Sequence, residues 1–364
     1  MAIGEPPAAR RLGLRSAVEW GGDHLEVIDQ TALPERLTVL ELRAVAQVID
    51  ALRRLVVRGA PAIGVAAAFG VVIGLDERQP ASAEAARATL EQVAAELEAA
   101  RPTAVNLSWA VRRVAAAAAS GRDPAEIRRL ALEEATRVLS EDREACRRIA
   151  DHGRVELAGR RRLLTHCNTG RLATAGLGTA LAVVYAKAEA GEPVEVLASE
   201  TRPLLQGARL TAWELVDAGI PVTLLADTAA GAAMAAGMVE AVLVGCDRVA
   251  RNGDTANKIG TYALAVLARA HGIPFYVVGP LSSFDREAAD GAAIEIEQRP
   301  PEEVRTLRGA TVAPDRAGVW NPAFDVTPAT LVTAFITDAG VLRPPFADSI
   351  ARARAEEPEP RYLS

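Results

Sequence analysis

Lysine is nearly absent from this sequence. Among 41 basic side chains in 364 residues, only Lys187 and Lys258 are lysine. A preference for GC-rich arginine codons explains most of that imbalance. A lysine that survives it is enriched where a compact ammonium fits and a planar guanidinium does not. Lys187 sits near a helix end in Tyr185-Ala186-Lys187-Ala188-Glu189, where chance suffices, whereas Lys258 lies in a far denser polar segment. Cysteine is scarce too: Cys146, Cys167 and Cys246 form no C-x-x-C and cannot all pair with one another. With no secretory signal at the N-terminus, the expected compartment is a reducing cytoplasm. The sequon Asn106-Leu107-Ser108 is then a chance match.

Further absences narrow the function. No uninterrupted apolar run approaches the ~20 residues of a membrane helix, so no membrane partner is expected. A formal charge of −6 gives no footing for nucleic acid. The four histidines (His24, His152, His166, His271) are scattered, and no His/Cys/carboxylate cluster has metal-ligand spacing. No G-x-G-x-x-G follows a strand and no G-K-[ST] marks a P-loop, so a dehydrogenase or nucleotide-binding reading lacks its fingerprint. There is no internal repeat.

What is present divides by period. The length allows two domains, each with its own core. Val18–Trp20 and Leu25–Ile28 flank Gly21-Gly22-Asp23 and read as a hairpin. Helical spacing then recurs in Leu37–Val57, Pro61–Ile73, Ala83–Ala99, Val105–Ala119 and Pro124–Ala150. Near Arg160 the pattern changes to short β-rich runs alternating with helical stretches. The runs are Leu163–Cys167, Val194–Ala198, Val222–Ala226, Ala241–Gly245 and Phe275–Val278, mostly apolar on both faces. That predicts a parallel sheet of βαβ units, with ligands bound beyond the carboxyl ends of the strands. The expected division is a helical domain over 1–153, an α/β domain over 154–350 and a flexible tail over 351–364. The first fifteen residues are also expected to be loosely held.

The chemistry gathers at those strand ends. Thr165-His166-Cys167-Asn168-Thr169-Gly170 runs from a strand into a Gly/Thr-rich loop and then an Ala-rich helix, a frame whose amides suit a phosphate. Cys167 ends its strand beside the expected helix N-terminus, where a thiolate is favoured. His166 is a poor partner for it, because consecutive strand residues face opposite ways. Cys146 and Cys246 read as packed small hydrophobes. Asp247 closes another apolar strand, where burial would raise its pKa toward that of a general acid. Asn257 and Lys258 follow as an amide and a cation for substrate oxygens, and Asp254 reads as a helix cap. In Arg58-Gly59-Ala60-Pro61, arginine and free amides open a helix. Arg101-Pro102-Thr103-Ala104 repeats the arrangement before the next helix but one. Gln206, beyond the second strand, is placed to read sugar hydroxyls.

These segments together closely resemble the 5-methylthioribose-1-phosphate isomerases, a family within the superfamily of translation initiation factor 2B regulatory subunits and ribose-1,5-bisphosphate isomerases. The likeness runs from Val18-Glu19-Trp20 to Asn321–Ala329. It is densest over Arg58–Gly64, Arg101–Asn106, Thr165–Gly170, Glu200–Leu215 and Gly245–Tyr262. The resemblance implies an α/β fold in which a helical N-terminal domain precedes a Rossmann-like parallel-sheet domain. It implies a homodimer acting on a small sugar phosphate with no metal or nucleotide cofactor. It places Cys167 and Asp247 on the catalytic pair. Arg58, Gly59, Ala60, Arg101, Gln206, Asn257 and Lys258 fall on substrate contacts. Leu177, Cys246 and Asp227-Thr228-Ala229-Ala230 depart from the family pattern without removing a catalytic residue.

Overall fold

The computed structural model describes residues 15–101 and 104–355. The expectation of a loose N-terminus falls on 1–14, outside the described residues, as do Pro102, Thr103 and the end of the chain from 356 onward. The described chain forms two compact units. The first comprises residues up to Arg147 together with Gly170–Gly178, and the second comprises Arg148–Thr169 and the chain from Thr179 onward.

In the first unit, β1 (Val18–Trp20), β2 (Leu25–Ile28) and β3 (Val39–Leu42) form an antiparallel sheet, followed by α1 (Val45–Arg53), α2 (Ala60–Arg78), α3 (Ala83–Glu98), α4 (Val105–Ala118) and most of α5 (Pro124–Glu156). The hairpin is as expected, with Val18 opposite Val27. The stretch Leu37–Val57 is not helical throughout: Val39–Leu42 pairs with β2 before α1 begins. Helix α2 is the one described helix long and apolar enough to cross a membrane. Here every residue from Ala62 to Leu75 is buried, so α2 is the core helix of its unit. Trp20 stacks on Phe69 of α2 with ring centroids 4.9 Å apart. Ser82 starts α3 by accepting the Ala85 amide at 3.1 Å.

The segment Gly170–Gly178 threads this unit and is fully buried. Leu172 O accepts from Gln30 Nε2 at 2.7 Å, and Ala173 O from the Ala62 amide at 3.2 Å. The Ala175 amide donates to Asp142 at 2.6 Å, and Ala175 O accepts from Arg143 Nε at 3.1 Å. Burial pushes the Asp142 carboxyl up to about 6.

The second unit is built on a seven-stranded sheet in the order β15-β14-β10-β7-β4-β5-β6. Its strands are β4 (Arg162–Thr165), β5 (Glu195–Ser199), β6 (Val222–Leu225), β7 (Ala241–Val244), β10 (Phe275–Val278), β14 (Ala334–Thr337) and β15 (Gly340–Leu342). All neighbours pair parallel except β14 and β15. The connecting helices are α6 (Ala180–Glu189), α7 (Ala212–Asp217), α8 (Ala230–Ala235) and α9 (Thr261–Ala270). The central strand β7 is buried throughout, as its apolar run requires. By contrast, β6 stands at the sheet edge with Thr223 and Leu224 exposed. A small antiparallel sheet, β8 (Arg248–Val249), β9 (Thr255–Lys258) and β13 (Phe324–Thr327), follows the loop after β7. Helix α10 (Glu302–Arg305) leads into the β11 (Thr306–Leu307) and β12 (Ala310–Thr311) hairpin. Helix α11 (Phe346–Ala355) closes the described chain, so residues 351–355 of the expected tail are helical.

Candidate active site

After β4 the chain adds β5 and β6 on one side of the sheet, then returns to place β7 and β10 on the other. The crevice beyond the carboxyl ends of β4 and β7 is therefore the topological switch point, where open α/β sheets bind ligands. Cys167 lies just past β4 and Asp247 just past β7, on neighbouring parallel strands about 4.8 Å apart.

Cys167 has a left-handed backbone, φ 62°. Thr201 (φ 65°) and Leu205 (φ 58°), beyond β5, share it. Such conformations are costly for residues with a Cβ, most of all a β-branched threonine, and they persist only where the surroundings enforce them. The Asp227 carboxylate fixes the loop after β5 by accepting the Thr201 and Arg202 amides, each at 2.7 Å. Gly207 completes it: a Cβ there would lie 1.7 Å from Ser199 O. A wide helical turn follows over Gly207–Thr211. Gln206 sits at its start, 7% exposed, and its Oε1 has no hydrogen-bond partner among the described residues.

His166 is engaged at both nitrogens. Ile259 O can only accept, so Nε2, at 2.8 Å, carries the proton and Nδ1 accepts from Ser199 Oγ at 2.6 Å. Burial holds the ring below the ordinary histidine pKa and neutral. It is no dyad partner for Cys167. Its bond to Ile259 instead draws the end of β9 toward the end of β4.

The small sheet positions the polar cluster. The Asp247 amide donates to Ala256 O at 3.0 Å, setting Asp247 beside the Asn257-Lys258 end of β9. Asn257 is buried and donates to Thr261 Oγ1 at 2.9 Å. Lys258 Nζ lies 4.6 Å from the centroid of Phe324, its partner across β13, and donates to Ala323 O at 2.9 Å. Asp254 is not the cap of the next helix. It accepts from the Gly291 and Ala329 amides and from Asn252, tying three loops together. The N-cap of α9 is Gly260, and Asp325 of β13 serves the helix start by accepting the Gly260 and Tyr262 amides at 2.7 and 3.1 Å. Cys246 is packed against the core, and burial pushes its thiol up to about 12.

The second unit thus gathers Cys167, Asp247, Gln206, Asn257 and Lys258 at one end of its sheets. The remaining candidates belong to the first unit. Arg58, Gly59 and Ala60 lead into α2, with Gly59 as its cap at φ 91°. A Cβ on Gly59 would come within 2.4 Å of Ala173 O, so only glycine fits. The first intrahelical bond is donated by Ile63, which leaves the Gly59 and Ala60 amides ahead of the ladder. Arg101 is half-buried ahead of α4, with Pro102 and Thr103 outside the described residues. The sequence reading did not single out Thr201, Thr211 or Asp325. The signal for Asp325 was its place in the motif Asn321–Ala329.

This fold is that of a defined family. Residues 56–344 match the initiation factor 2 subunit family, and the chain belongs to it. Among its relatives, a methylthioribose-1-phosphate isomerase of Anaeromyxobacter sp. is 54% identical over 335 residues, covering 92% of this chain and 96% of that one. A 5-deoxyribose 1-phosphate isomerase of Moorella thermoacetica is 51% identical over 342 residues, 93% of this chain and 97% of the relative. The crystal structure of a 5-methylthioribose 1-phosphate isomerase from Pyrococcus horikoshii matches with a TM-score of 0.91 at 43% identity, covering 98% of this chain and 100% of that one.

Proposed function

We propose that this chain is an aldose–ketose isomerase that converts 5-methylthioribose 1-phosphate to 5-methylthioribulose 1-phosphate in methionine salvage, without a metal or nucleotide cofactor. The observation that carries the reading is the pair Cys167 and Asp247 at adjacent strand ends of the switch point, in a chain half identical to such isomerases. An aldose 1-phosphate cannot open to an aldehyde, because phosphate locks its anomeric oxygen. Asp247 protonates the ring oxygen as its bond to C1 breaks. As the C2 hydroxyl gives its proton to the Asp247 carboxylate and becomes the ketone, the hydrogen on C2 moves to C1. It leaves as a proton to Cys167 and returns through an enolate-like species, or it migrates as hydride past a stabilising Cys167. Substrate deuterated at C2 separates the routes, since only migration retains all the label in water. Arg58, Gly59, Ala60, Arg101, Gln206, Asn257 and Lys258 are the substrate contacts in this reading, the cations serving the phosphate and Gln206 the hydroxyls.

The Moorella relative favours one second reading, 5-deoxyribose 1-phosphate as substrate. Both sugars carry an apolar group at C5, and a thiomethyl group in an apolar pocket is worth only ~1–3 kcal/mol. Ribose 1,5-bisphosphate carries a second dianion there, and no second anion-binding frame is recognisable in the sequence. Burying that dianion unpaired would cost more than a hundredfold in kcat/KM. The expected order of kcat/KM is therefore methylthioribose phosphate, then deoxyribose phosphate, with the bisphosphate at least about a hundredfold lower. A comparison in which the bisphosphate wins overturns the substrate assignment. We further assign the chain to the cytoplasm as a homodimer. Its three free thiols support a reducing compartment.

A further inference from the structure

We propose that Thr201 and Thr211 are positioning residues that brace the Cys167 peptide from both ends and so hold the thiol in its working conformation. The proposal rests on the reading of Cys167 as the catalytic thiol. The left-handed backbone of Cys167 is costly, and the structure shows what opposes its relaxation. At one end the Cys167 amide donates to Thr201 Oγ1 at 2.8 Å. At the other, Thr211 Oγ1 donates to Cys167 O at 2.6 Å. Both threonines are completely buried, so no water can take either place.

The direction of each bond is set by its neighbours. Thr201 Oγ1 donates its own hydrogen to Ser199 O at 3.1 Å, which leaves its lone pair for the cysteine amide. Thr211 Oγ1 accepts from Asn168 Nδ2 at 3.2 Å, which turns its hydrogen toward Cys167 O. Asn168 Nδ2 is oriented in turn by Glu214 Oε1 at 2.7 Å, and Tyr185 holds the other carboxyl oxygen at 2.8 Å. Glu214 and Tyr185 are also fully buried. A single sense of donation therefore runs from Asn168 through Thr211 to the carbonyl of Cys167. The brace requires a short side chain with a hydroxyl that both donates and accepts, which serine shares and valine lacks.

Thr201→Val and Thr211→Val keep the shape and delete the hydroxyl, whereas Thr201→Ser and Thr211→Ser keep the hydroxyl. Each Val variant is expected to lose about ten- to a hundredfold in kcat with KM within about threefold, as a displaced reacting group does. The Ser variants should stay within about threefold of wild type on both. Alkylation of Cys167 by iodoacetamide, followed on its peptide by mass spectrometry, gives a readout independent of turnover. Released from the brace, the half-buried thiol should react about fivefold faster in the Val variants and unchanged in the Ser variants. Wild-type kcat in the Val variants overturns the proposal, as does an equal loss in the Ser variants, which would make methyl packing the cause. If a Val variant does not fold, the Ala variant of the same residue takes its place. Loss of the native circular dichroism in both also overturns it, because the hydroxyls would then hold the domain rather than the thiol. If the wild type turns over none of the sugar phosphates, the isomerase reading fails and the alkylation rates alone decide the brace.

Discussion

Asp247 is asked to give a proton to an ether-type oxygen, which asparagine cannot do while matching its size and hydrogen bonding. Asp247→Asn should leave thermal melting and substrate binding nearly unchanged and lower kcat by about 10²–10⁴-fold, the range for a lost general acid. Near-wild-type steady-state turnover would remove Asp247 from the mechanism. The candidate pair was legible because each residue ends an apolar run, and strand ends are where such sheets bind ligands. The residues that hold Cys167 were not. Thr201 and Thr211 meet it from 34 and 44 residues away, and nothing local distinguishes them from other threonines. The scarcity of lysine is informative at both positions. Lys187, set aside as chance, is fully buried, with Nζ donating to Glu192 at 2.5 Å and to Leu157 O at 3.1 Å. A compact ammonium fits that enclosure as it fits the one over Phe324.

Elements bounded by turn residues are legible in the sequence, and strands without such bounds are not. The five parallel strands read from the sequence all form, because four to six apolar residues between polar loops leave few alternatives. Strand β3 is hidden in a helical-looking stretch, since its run carries Glu41 and no Gly or Pro parts it from α1. Strands β9 and β13 carry Asn257, Lys258 and Asp325, and owe their shape to pairing with one another rather than to propensity. The turn after β5 depends on one position. Gly207→Ala would place a methyl 1.7 Å from Ser199 O, against backbone that cannot step aside cheaply. Chemical denaturation should show a loss of about 2 kcal/mol or more, and activity should fall with it because the same turn carries Gln206 and Thr211. An unchanged midpoint would mean that the loop relaxes freely, contrary to the close approach seen there.

At the scale of the molecule, the second unit leaves Leu224 on edge strand β6 at 49% exposure, with Val216 at 68% and Met238 at 42%. An edge strand with an exposed leucine supports the proposed homodimer, since such edges are ordinarily paired or protected. Light scattering at micromolar concentration should give about twice the chain mass of 38.3 kDa, and a value near the single chain would count against it. The segment Gly170–Gly178 bears on how the molecule is made. It supplies the Ala175 amide to Asp142, the Leu172 carbonyl to Gln30 and the Ala173 carbonyl beside Gly59, yet it lies in the chain beyond β4. As the chain leaves the ribosome, the helices of the first unit are complete well before the nine residues that satisfy their buried polar groups. The first unit therefore waits, unfinished, for part of the second half to be synthesised. A fragment cut after the last of its helices would carry those unmet groups permanently.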